Sequence, residues 1–109
     1  MYLLNAFSLN MIDGNADIIV REISLTTAAS LAADCTSAVG HADTAAVFAN
    51  VLGVPVACNR ATVALKEGDV ALVGQYSGPR LPEGATTLPE GAAIKWVIVA
   101  VHEPFAPGL

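Results

Sequence analysis

A single α+β domain, built on a mixed sheet of about five strands flanked by helices, is the fold class this sequence predicts. Three observations lead there. Short β-branched runs recur along the chain: ADIIVREI (16–23), VALVGQY (70–76) and IKWVIVAVH (94–102). Two alanine-rich segments with helical spacing are set between them. Gly, Pro, Asn and Asp clusters separate these segments, with no internal repeat, low-complexity tract or linker. At 109 residues the chain is long enough for one core and too short for two, so residues 1–109 read as one domain.

Taken in order, Tyr2-Leu3-Leu4 begins an apolar strand that runs into NAFSLNM, where Asn5, Ser8 and Asn10 alternate with apolar residues. Two readings stand side by side. Either the short polar side chains satisfy local backbone at a strand end and turn, or they line a pocket there. Asp13-Gly14-Asn15 is a turn, and 16–23 alternates as a strand. Ser24 can cap a short helix through about Ala33, with Leu25, Ala28, Ala29, Leu31 and Ala32 on its buried side.

Ser37 to Gly53, SAVGHADTAAVFANVLG, is the segment around which the chain is organised. It reads as the end of a short strand, a turn at Gly40, and a helix with Ala45, Val47, Phe48, Val51 and Leu52 on its apolar face. Gly53 is its stop, and Asp43 or Thr44 can cap its start. Glycine at 40 permits backbone angles that other residues avoid. His41 then lies where a strand gives way to a helix N-terminus, a place that collects unpaired amides and partial positive charge and suits phosphate. An imidazole there is a candidate proton donor to a phosphate ester; the plainer alternative is a solvated loop histidine.

After the Cys58-Asn59-Arg60 corner, RATVAL (60–65) alternates as a strand. Lys66-Glu67-Gly68-Asp69 is a hairpin-type turn, and 70–76 returns antiparallel to it. The loop SGPRLPEG (77–84) is too rich in Gly and Pro for a regular element. Its Arg80 and Glu83 form either a solvated surface pair or a clamp, the arginine fork on phosphate and the carboxylate on a hydroxyl. Leu88 to Gly91 is a second turn-rich link. Residues 94–102 suggest a central or doubly covered strand, with His102 structural or exposed at its end, and Glu103 to Leu109 is a tail.

The net charge is −5, with five basic residues, Arg21, Arg60, Lys66, Arg80 and Lys95. That balance argues against a basic face for long nucleic acid, but allows a small anion held by one or two cations and backbone amides. Cys35 and Cys58 form no C-x-x-C pair and read as buried free thiols, with a disulfide or a metal site as alternatives that no spacing supports. Two histidines without ligand spacing give no metal site, and no cofactor is expected. No apolar run reaches membrane-span length, and the start has no basic region followed by a cleavage site. A soluble, cytoplasmic protein is therefore the expectation.

Four blocks, YLLNAFSLNM, SAVGHADTAAVFANVLG, NRATVALKEGDVAL and PRLPEG, stand in an order and spacing that resemble the viral type III anti-CRISPR ring nucleases. That family includes cellular CRISPR-associated homologues and uncharacterised proteins of archaeal viruses. The resemblance implies a homodimer that cleaves cyclic tetra-adenylate without a metal, switching off type III CRISPR signalling. It further implies that His41 is the catalytic histidine, that the loop residues Arg80 and Glu83 complete the catalytic set, and that Asn5, Ser8, Asn10, Gly40 and Arg80 contribute to ligand binding. Pro79 departs from the polar residue that the family commonly carries before the arginine. Two other classes remain: a binder that sequesters or senses the cyclic nucleotide, and a structural dimer formed through the Ala/Val-rich surface.

Overall fold

The computed structural model describes residues 1–105; of the tail expected at 103–109, residues 106–109 lie outside the described residues. Five strands form one sheet: β1 (Tyr2–Leu4), β2 (Asp17–Glu22), β3 (Thr36–Ser37), β4 (Val70–Ser77) and β5 (Ala93–His102). Two helices, α1 (Leu25–Ala32) and α2 (Ala42–Leu52), follow β2 and β3. The spatial order is β2-β5-β4-β1-β3. β1 is parallel to both β3 and β4, whereas β5 is antiparallel to β4 and β2. β5 alone therefore runs against the other four.

Side chains alternate across the pleat, so β1, β4 and β5 each supply two cores. On one face Leu3, Leu72 and Trp96 meet both helices through Ala28, Ala32, Ala45, Phe48 and Leu52. On the other, Leu4, Ala71, Val73, Val97, Val99 and Val101 are covered by Val63 and Leu65, with Phe7, Met11 and Ile12 against them. That second cover has no regular helix or strand beyond one turn of 3-10 helix at Leu9–Met11 and isolated bridges pairing Ile12 with Leu65 and Val39 with Cys58.

The cover overturns one expectation. Residues 60–65 form no strand, and the hairpin with 70–76 does not exist. Their alternation is real, because Val63 and Leu65 point inward and are buried. The pairing fails because β4 already carries β1 on one edge and β5 on the other, which leaves no ladder to join. The turn after them does form, closed by the Lys66 amide donating to Asp69 Oδ2 at 2.9 Å. It leads from the cover into β4.

The local signals at the helix ends hold for α1, where Ser24 caps by accepting from the Thr27 amide at 3.1 Å. Gly53 ends α2 in the left-handed region at φ 73°, as a helix-stopping glycine does. Gly40, by contrast, turns the chain without a positive φ. Cys58 is exposed rather than buried, and Cys35 is half-buried. Among the described residues no helix is long and apolar enough to cross a membrane.

Candidate functional site

Parallel strands leave a sheet at the same end, and their following segments collect there. β1 passes into Asn5, β3 into Val39-Gly40-His41, and β4 into the loop that carries Arg80. Three residues far apart in the chain are thereby delivered to one rim of the sheet, the carboxyl end of its parallel strands, where open α/β sheets usually bind ligands.

His41 is the N-cap residue of α2, with φ −124° and ψ 129°, and makes no side-chain capping bond. The expected cap through Asp43 or Thr44 therefore does not occur. The first-turn amides keep their outward donors, and the positive end of the helix points at this rim. Asp43 sits in that first turn, but its Oδ1 accepts from the Gly84 amide at 3.0 Å, across the site.

His41 lines two adjoining depressions. One, of about 390 Å³, is walled by His41, Asp43, Thr44, Tyr76, Arg80 and Leu81. The other, of about 340 Å³, is lined by Asn5, Gly40, His41 and Arg60 over an apolar floor that includes Leu4, Met11 and Val63. Each depression pairs the imidazole with one guanidinium, both of them exposed. The combination of an imidazole, two guanidinium cations and helix amides suits a phosphodiester.

Of the residues singled out from the sequence, His41, Arg80, Asn5 and Gly40 come together here. Glu83 is exposed and does not line either depression. Ser8 and Asn10 do not reach either: Ser8 caps the 3-10 turn by accepting from the Asn10 amide at 3.2 Å, the local role that was the plainer of the two readings. Arg60 joins the site without a motif to announce it; its only signals in the sequence are that it is one of five basic residues and stands at a turn. The turn is pinned by Asn59, whose amide donates to Val39 O at 2.8 Å and whose Nδ2 donates to Ser37 O at 2.7 Å. That pinning turns Arg60 toward Gly40, with Arg60 Cα, Cβ and Cγ all 3.7 Å from where a Cβ on Gly40 would stand. Tyr76 announces itself in the sequence only as part of a strand, yet it lines the larger depression. Among the described residues no three His, Cys, Asp or Glu side chains gather as a cation site.

Comparison with known proteins gives two findings. A family model described as STIV B116-like matches residues 1–95. The structure resembles that of B116 of Sulfolobus turreted icosahedral virus, with a TM-score of 0.75 at 26% sequence identity, over 91% of this chain and 97% of that one. No curated protein matches.

Proposed function

This chain belongs to the STIV B116-like family, and from that premise we propose that it is a metal-independent ring nuclease. Its substrate in this reading is cyclic tetra-adenylate, and its action removes the messenger of type III CRISPR signalling. The observation that carries the reading is that His41 and Arg80, on segments that follow different strands, wall one depression at a helix N-terminus.

RNA brings its own nucleophile, the 2′-hydroxyl beside each phosphodiester. Its oxygen attacks phosphorus, a P–O bond forms, and the bond to the 5′-oxygen breaks. His41 gives a proton to that departing oxygen. Arg80 and the first-turn amides of α2 hold the charge that grows on the phosphoryl oxygens. The products are linear di-adenylates ending in a 2′,3′-cyclic phosphate. The hydroxyl's proton goes to solvent or to Glu83; the second route rests on family resemblance alone, because Glu83 stands off the lining. A ring of four equal nucleotides matches a two-fold homodimer, in which each copy presents His41 to one of two opposite phosphates.

The test is incubation with cyclic tri-, tetra- and hexa-adenylate in EDTA, comparing wild type with His41→Ala and Glu83→Gln. Wild type opens the tetra-adenylate ring, and His41→Ala slows this roughly 10²–10⁴-fold, the usual worth of a general acid. Rings left intact by wild type would end the enzyme reading. The position of Glu83 favours a second reading, a binder that sequesters or senses the ring; tight binding without turnover identifies it.

A further inference from the structure

We propose that Asp43 is a positioning residue, which ties the Arg80 loop to the helix that begins at His41 so that both groups face one depression. The inference rests on the functional reading above.

An aspartate in a first helical turn ordinarily serves its own helix, bonding a local amide or lying in the field of the positive helix end. Asp43 instead reaches a residue 41 positions away, the amide of Gly84. The hydrogen bond joins two segments distant in the chain, the first turn of α2 and the loop after β4. Asp43 stands two positions after His41, with only Ala42 between them, so the carboxylate and the imidazole share one short piece of backbone.

The loop is held at its other end as well. The Tyr76 hydroxyl donates to the Pro79 carbonyl. Gly78 takes a φ of 138°, and a Cβ there would come within 2.8 Å of Ala92 Cα. Arg80 therefore lies between two anchors, the Pro79 carbonyl and the Gly84 amide. Pro79 and Pro82 restrict the backbone between them, and the Ala85 amide closes a turn onto Pro82 O at 3.0 Å. One end of the loop is fixed to β4 and the other to α2. Without Asp43 the second anchor is gone, and Arg80 is left on a loop tethered at one side. Misplacing a charge-stabilising group by about an ångström costs on the order of 10²-fold in rate.

The experiment compares Asp43→Ala and Asp43→Asn with wild type, reading kcat and KM for cyclic tetra-adenylate in EDTA together with the Gly84 amide resonance by NMR. Asn keeps an acceptor oxygen at the same reach, whereas Ala removes it. The expected result is a kcat lower by roughly 10–100-fold in Asp43→Ala, restored to within about threefold in Asp43→Asn. The Gly84 amide proton moves upfield in Ala and stays near its wild-type position in Asn. An unchanged kcat in Asp43→Ala, or equal losses in Ala and Asn, overturns the proposal, as does a Gly84 amide that ignores the alanine. If Asp43→Ala does not fold, the Asn variant alone decides, because a role exerted through charge predicts loss and the clamp predicts retention. If wild type leaves every ring intact, the functional reading falls, and the clamp stands or falls on the Gly84 resonance.

Discussion

Gly74→Ala is the sharpest probe of how α2 is seated. Gly74 lies in β4, opposite Trp96 of β5 in the register of the sheet. Phe48 of α2 comes down onto the same spot, its ring centroid 5.0 Å from that of Trp96 at an interplanar angle of 62°. A methyl on residue 74 would stand 2.6 Å from Trp96 Cζ3 and 2.7 Å from Phe48 Cζ. Carbon atoms prefer about 3.5–4.0 Å, so both rings must retreat by roughly an ångström. Neither has room, because Phe48 is fully buried and Trp96 is 4% exposed. Overpacking of this kind costs about 1–3 kcal/mol. The gain from a less flexible unfolded chain, about 0.4–1 kcal/mol, offsets part of it. With two rings displaced, a net loss of about 2 kcal/mol is expected, or roughly 8 °C in melting temperature at about 4 °C per kcal/mol. Trp96 is the sole tryptophan, so its fluorescence reports unfolding at the perturbed place. Gly40→Ala is the control, since a Cβ there meets nothing nearer than 3.7 Å and should change stability by less than about 0.5 kcal/mol. If Gly74→Ala melted within about 2 °C of wild type, the seating of α2 against β4 would be wrong.

Ser24→Ala removes the oxygen that accepts from the Thr27 amide, and should cost about 1 kcal/mol in urea unfolding with an unchanged m-value. The two thiols should separate under iodoacetamide at pH 8. Burial pushes the Cys35 thiol up, with the nearby N-terminal charge opposing and Asp34 adding to the rise. A raised pKa means less thiolate at a given pH, and Cys35 also donates to Leu31 O at 3.3 Å. Exposed Cys58 should therefore be modified first, by about tenfold or more, and mass spectrometry of the labelled peptides checks the order.

Much of the fold was legible because its signals are local. Ser24 and Gly53 mark helix ends through backbone conformations that depend on a few neighbours, and β2 and β5 declare themselves by β-branched runs. The placement of His41 at a strand-to-helix corner was legible for the same reason. The part played by residues 60–65 was not. Their period-two pattern says that one side is buried, but not whether hydrogen-bonding partners are available. That depends on which strands reach the edges of β4, a competition among segments distant in sequence. Asp43 escaped for a related cause. Its residue type and position announce a cap, and only the arrival of Gly84 gives its carboxylate a different partner.

By itself the sequence determined both helices, the strands other than the one expected at 60–65, and the turns between them, since these follow from conformational preference and periodicity within short windows. Tertiary structure alone decided that β1, β3 and β4 run parallel, and so deliver Asn5, His41 and Arg80 to one rim. It alone placed Arg60 beside Gly40 and left Glu83 outside the two depressions. The reason is physical: a strand's neighbours are chosen by competition for unpaired edges and apolar faces across the whole chain, and no local window contains that choice.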